Sequence, residues 1–194
     1  MVFLAITPYT AELPMSSIIP DSTYRYGLIS RALHWGMALL LGWQFFTTAV
    51  RVLMEDSALD EFTWGTHKAV GTLLMTLILL RVLWALINLR QRPPSLSIAA
   101  RLGHLALYAL MLIIPLLALL RQYGSGREFA AFGLQLMAGF EGEIEALTAP
   151  GNLLHGWLGW TLLAMIVGHI GMTLYHRRHP IENVLPRMIS KLRD

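Results

Sequence analysis

Four apolar runs, each close to the length that crosses a bilayer, dominate this chain: Ala32 to Val50, Ala69 to Leu89, Leu102 to Leu120 and Leu153 to Tyr175. A helix needs roughly 20 predominantly apolar residues to span the hydrocarbon layer. Only one full charge, Arg81, interrupts the four runs. The competing arrangement is a soluble bundle of buried helices, and it fails because no run shows the polar face such a bundle would need. Composition agrees, with 55% of the 194 residues apolar and only 14% charged. The expected fold class is all-α, an integral membrane four-helix bundle with these runs as spans at about 32–50, 69–89, 102–120 and 153–175.

The basic residues of the loops set the orientation. Arg25 and Arg31 precede the first span, Arg90, Arg92 and Arg101 lie between the second and third, and Arg177, Arg178, Arg187, Lys191 and Arg193 follow the fourth. All of these fall on one side. The other side carries Glu55, Asp56, Asp60, Glu61, Glu128, Glu141, Glu143 and Glu145 against Lys68, Arg121 and Arg127. Both termini are therefore expected in the cytoplasm. Pro93-Pro94 marks a short breaker after the second helix. The stretch FAAFGLQLMAGF (129–140) is apolar but too short to span, and reads as an interfacial or re-entrant piece on the outer face. Residues 25–190 form the membrane domain, 191–194 a cytoplasmic tail and 1–24 a disordered leader. The first fourteen residues lack the basic start and long apolar run of a signal peptide, and Met15 offers an alternative start.

The chain has no cysteine. Thiolate-ligated haem, covalently attached c-type haem, cysteine-held iron–sulfur clusters and disulfides are thereby excluded, which leaves histidine as the metal ligand. His155 and His169 are fourteen residues apart with no charge between them. Fourteen helical residues turn the second side chain to within about 40° of the first and lift it about 21 Å, so the two rings share a face at two depths. Intramembrane ionisable groups face the bundle interior, where each needs a partner. His67 matches His155 in depth on the outer side, and His34 matches His169 on the inner side. Two facing imidazoles at each depth is the arrangement that clasps a haem iron from both sides. A structural hydrogen bond is the plainer role for any one of these rings. By depth alone His104 is a rival to His34.

Gly71 follows His67 by four residues and Gly159 follows His155 by four, which puts each glycine one turn deeper on its ligand's face, where a flat macrocycle needs close backbone approach. Gly36, Gly42, Gly156 and Gly168 suit ordinary helix packing. Arg81 lies fourteen residues after His67, on the same face one level further in. An inner haem propionate would pair with it, and the alternative is snorkelling to the cytoplasmic headgroups.

The chain resembles the bacterial di-haem cytochrome b561 family, which shares its four-helix architecture with the cytochrome b subunits of nickel–iron hydrogenases. The resemblance is carried by YRYGLISRALHW (24–35), THKAVG (66–71), LLRVLW (79–84), RLGHLALYALM (101–111), AFGL (131–134), LLHGWLGW (153–160), GHIGMTLYHRRH (168–179) and ENVLPRM (182–188). It spans about 25 to 190, and its specificity lies in the set. It implies two haem b groups, with His34 and His169 holding the inner one and His67 and His155 the outer. Arg81 is then a cofactor-binding residue. His104 and His176 are left to propionate, quinone or proton handling, with a simple boundary histidine as the plainer role for each.

Two axial histidines leave no open iron position, so such a haem moves electrons at its edge rather than activating a bound ligand. The resemblance implies a multi-pass protein of the bacterial inner membrane, an oxidoreductase carrying electrons between an outer-face donor and a membrane quinone, ubiquinone. The donor is a small molecule or a protein, superoxide among them in some relatives. No nucleic-acid partner is expected. A cytochrome b subunit of a larger dehydrogenase or hydrogenase is the neighbouring reading, and a haem-free proton or metal transporter is the one from another class. The acidic outer loops argue against strong steering of a small anion such as superoxide.

Overall fold

The computed structural model describes residues 19–178 and 183–189. Most of the expected leader, 1–18, and the tail 191–194 lie outside the described residues. The main body is four long helices, α1 (Leu28–Leu53), α2 (Ala58–Ile87), α3 (Ile98–Gly124) and α4 (Glu145–Arg177). A two-stranded hairpin, β1 (Phe129–Ala131) and β2 (Leu134–Met137), lies between α3 and α4, and a single turn, α5 (Pro186–Ile189), follows α4. The four long helices are long and apolar enough to cross a membrane.

Polar caps make the helices longer than the apolar runs within them. Ser57 precedes α2 and its hydroxyl accepts from Asp60 N–H at 3.1 Å, with Asp60 and Glu61 in the first turn where the helix dipole favours acids. The helix therefore starts well before the apolar run, and His67 stands inside α2 rather than just ahead of it. It ends at Ile87, with Asn88 donating its side-chain amide to the Trp84 carbonyl at 3.0 Å. Ser97 caps α3 in the same way through Ala100 N–H at 3.1 Å.

Helix α1 packs on α2, α2 on α3, and α3 on α4. Met37, Leu74 and Ile78 form the core, with Leu40, Leu41, Met75, Tyr108, Met111 and Leu112 against them. Most other large apolar side chains on the helices are exposed, including Leu39, Leu83, Leu105 and Trp157. An exterior of that kind is stable against lipid and not against water. The chain is a multi-pass membrane protein.

The two ends of the bundle differ. At one end, called here the hairpin end, the apolar stretch 129–140 begins with a β-hairpin over Phe129–Met137. Its two-residue loop, Phe132 and Gly133, has φ of 53° and 78°. Positive φ at both central positions is the type I′ geometry that matches strand twist. Across the same end, Arg51 of α1 reaches the buried Asp60 of α2 at 2.6 Å.

The other end, the tail end, is closed by segments that flank the helices. Asp21 is 2% exposed, accepts from Gly27 N–H at 2.8 Å and pairs with Arg92 Nε at 3.1 Å. Residues 19–24 thus belong to the folded body and not to a disordered leader, because the buried carboxylate needs both partners. Arg92 also lies over the Tyr26 ring, whose phenol burial pushes up from its ordinary range. The segment after α4 is tied in by Tyr26 N–H to the Arg187 carbonyl at 3.2 Å and by Trp35 Nε1–H to the Met188 carbonyl at 3.2 Å.

Candidate functional site: two facing histidine pairs

Helix α4 presents His155 toward the hairpin end and His169 toward the tail end, as the fourteen-residue spacing requires. The His155 ring centre lies 6.4 Å from that of His67 on α2, with the ring planes at 73°. The His169 ring centre lies 6.4 Å from that of His34 on α1, with the planes at 65°. An imidazole nitrogen stands about 2 Å from a coordinated transition metal and about 1.1 Å from its own ring centre, so two rings clasping one ion have centres about 6 Å apart. Both pairs meet that distance.

His104 on α3 comes to 5.4 Å from His169, edge to face. That separation is short of what an ion between two rings needs, and favours His34 as the partner. His176 packs edge-on against its neighbour Tyr175 and joins neither pair. Among the described residues no group of three or more His, Cys, Asp or Glu gathers around a common point. A bare metal ion would lack ligands at either pair. A macrocycle that brings four nitrogens of its own needs only two from the protein.

The hairpin-end pair is supported from behind. Thr47 Oγ1 lies 2.7 Å from His67 Nδ1, and Ile114 O lies 3.1 Å from His155 Nδ1. Both contacts occupy Nδ1 and leave Nε2 for a metal, the arrangement by which an outer partner fixes a ligating ring. Trp64 stacks on His67 with ring centres 4.7 Å apart and planes at 28°, and Arg51 lies 5.7 Å from the indole centre.

A cavity of about 1320 Å³ opens beside this pair, lined by both histidines and by Gly42, Gly71, Gly156 and Gly159. It exceeds the roughly 300–1,000 Å³ of ordinary small-molecule sites, as a large flat cofactor requires. A Cβ at Gly42, Gly156 or Gly159 would meet nothing within 4 Å, so these positions face open space. Gly71 differs, since its missing Cβ makes room for Gln44, whose Nε2–H donates to the His67 carbonyl at 3.1 Å. Arg121 and Lys68 also line the cavity and suit the carboxylates of a porphyrin. Lys68 donates to Gln122 Oε1 at 3.1 Å, whereas the Arg121 guanidinium makes no hydrogen bond or ion pair among the described residues.

At the tail end Arg81 does not snorkel. Its Nε–H donates to Tyr108 Oη at 2.8 Å, and Nη2 lies 3.2 Å from His34 Nδ1. A guanidinium can only donate, so in this contact Nδ1 accepts and the ring proton belongs on Nε2. Ligation through Nε2 moves that proton to Nδ1 and obliges Arg81 to find another acceptor, for which a propionate is chemically suited. With that adjustment the donor chemistry of both pairs suits a haem, and at the hairpin end the cavity provides the space as well.

Sequence reasoning placed four histidines and Arg81 but missed Thr47, Gln44, Tyr108, Trp64 and Arg121. Trp64 alone had a local signal, standing one helical turn before His67.

The chain as a whole is also similar in sequence to known proteins. A family model described as prokaryotic cytochrome b561 matches residues 25–191. The chain is 32% identical over 175 residues to the Escherichia coli (strain K12) protein cytochrome b561 homolog 2, a match covering 86% of this chain and 92% of that one.

Proposed function

Because the chain belongs to the prokaryotic cytochrome b561 family, whose members are haem b membrane proteins of electron transfer, we propose that it holds two haem b groups and passes electrons between a donor at the hairpin end and membrane ubiquinone. The observation that carries this reading is the pair of imidazole couples, each with ring centres 6.4 Å apart. His67 and His155 are the ligands of the hairpin-end group, and His34 and His169 those of the tail-end group. Haem iron held by two axial imidazoles supplies one-electron chemistry with no free coordination position.

The protein's own residues do the rest. Thr47 and the Ile114 carbonyl orient the hairpin-end rings, while Arg121 and Lys68 offer positive charge to that group's carboxylates. Arg81, braced by Tyr108, offers it at the tail end. The lipid-facing exterior and the Met37, Leu74 and Ile78 core keep water out between the two levels. Arg25, Arg31, Arg90, Arg92, Arg101, Arg177, Arg178 and Arg187 all fall at the tail end, which supports an inner-membrane orientation with both termini in the cytoplasm. The hairpin end then faces outward toward the donor.

A reduced-minus-oxidised spectrum of the purified protein, with a pyridine haemochrome count, is the direct test. Two low-spin b haems per chain are expected. One haem per chain, or a high-spin spectrum, would sink the ligand scheme.

A further inference from the structure

The partners of the ligand nitrogens differ between the two ends, and the difference has a sign. Thr47 donates its hydroxyl hydrogen to the Gln44 carbonyl at 2.8 Å, so the oxygen beside His67 Nδ1 is left as an acceptor. The Ile114 carbonyl beside His155 Nδ1 can only accept. Both hairpin-end rings therefore donate Nδ1–H to oxygen. At the tail end neither ring has an oxygen at Nδ1: that of His34 faces the Arg81 guanidinium, which ligation turns to another acceptor nearby, and the His169 ring makes no hydrogen bond among the described residues.

An Nδ1–H that donates to oxygen makes its ring a more basic ligand, which stabilises the ferric state. A cation beside a ligand favours the ferrous, less positive state. Water does not weaken the Thr47 contact, since Thr47 is 0% exposed, and Arg81 is half-buried against Tyr108. Lys68 and Arg121 oppose this order at the hairpin end and Glu128 on the same cavity wall supports it. Lys68 and Glu128 are exposed and opposite in sign, and solvent screens both, whereas Arg121 is as half-buried as Arg81 and matches its charge at the other level, which leaves the order to the acceptors at Nδ1.

We infer that Thr47 and Arg81 are positioning residues that hold the two haem sites at different reduction potentials, the hairpin-end site at the lower one. The inference rests on the two-haem reading above. Its consequence is directional. An electron at the hairpin-end site moves downhill to the tail-end site, the first being oxidised as the second is reduced, which agrees with a donor at the hairpin end.

The test is an optical redox titration of the purified, haem-loaded protein and of variants at Thr47, Arg81, His67 and His169, each with its haemochrome count. Two waves are expected in the parent. Thr47→Val should shift the lower wave upward and leave the upper wave in place, and Thr47→Ser should restore the parent value. Arg81→Gln should shift the upper wave downward without moving the lower, and Arg81→Lys should recover most of that shift. Ligand variants at His67 and His169 assign the waves to the two sites. The inference is overturned if Thr47→Val moves the tail-end wave or lowers the hairpin-end one, if Arg81→Gln leaves both waves unmoved, or if the hairpin-end wave is the higher. A haemochrome count of one in the parent would instead remove the two-haem reading itself.

Discussion

Each of the four histidines proposed as ligands belongs to one 6.4 Å pair only, so their loss is expected to be separable. His67→Ala or His155→Ala should remove the hairpin-end haem and leave the other in place, and His34→Ala or His169→Ala should do the reverse, read as half the parent haemochrome signal. His104→Ala should retain both, because its ring stands 5.4 Å from His169, too near to share an ion across it. Loss of the tail-end haem on His104→Ala with retention on His34→Ala would reverse that assignment. The pairs were legible in the sequence because helix geometry converts fourteen residues into a shared face at two depths. Depth alone left His104 and His34 level. Thr47 and Tyr108 carried no signal at all, since a hydroxyl on an apolar helix acquires its meaning only from the ring that a second helix sets against it. Arg81 was placed at the right level, yet its contact with His34 depends on how α1 and α2 pack.

Helix contacts depend on small residues at two places of different kinds. Gly159 faces open space beside the hairpin-end pair, whereas Gly151 stands where α4 meets α3, and a Cβ there would lie 2.7 Å from Arg121 Cβ and 2.8 Å from the Leu117 carbonyl. Backbone cannot yield as a flexible side chain does, so Gly151→Ala should force the helices apart. A loss of about 1–3 kcal/mol is expected, the usual cost of overpacking a close contact. Thermal unfolding in detergent would measure it, and Gly103→Ala, where a Cβ meets nothing within 4 Å and which lies outside the cavity lining, serves as the control that should unfold at the parent temperature. An unchanged transition for Gly151→Ala would mean that the α3–α4 contact is looser than described. The helices themselves were readable from their apolar runs, but their polar first turns were not, because a hydropathy run begins only after polar residues such as Ser57 and the ion-paired Asp60. The hairpin at 129–137 was hidden for another reason. Its turn is Phe132-Gly133, and a phenylalanine at φ 53° gives none of the Asn-Gly or Asp-Gly signature that marks a type I′ loop.

The distribution of charge over the whole molecule bears on what reaches the hairpin-end site. The hairpin end holds eight carboxylates, Glu55, Asp56, Asp60, Glu61, Glu128, Glu141, Glu143 and Glu145, against Arg51, Lys68, Arg121 and Arg127. Asp60 is buried against Arg51, and Glu55 reaches the same guanidinium at 3.5 Å. Long-range attraction depends on the net charge of this face, which is negative, while Lys68 and Arg121 are positive only locally, at the cavity wall. Their field reaches about one Debye length, roughly 8 Å at physiological salt. An anion approaching from bulk water therefore meets repulsion before it meets those two cations. The expected outcome is that superoxide reduces the hairpin-end haem at a rate that stays level or rises as salt is added, and that a cationic reductant of similar driving force slows under the same change. Stopped-flow absorbance over a salt series measures both. Steered association of an anion would instead show a near diffusion-limited rate that falls steeply with salt. That result would mean that Lys68 and Arg121 govern entry despite the acids around them, and it would make superoxide a substrate captured by this face.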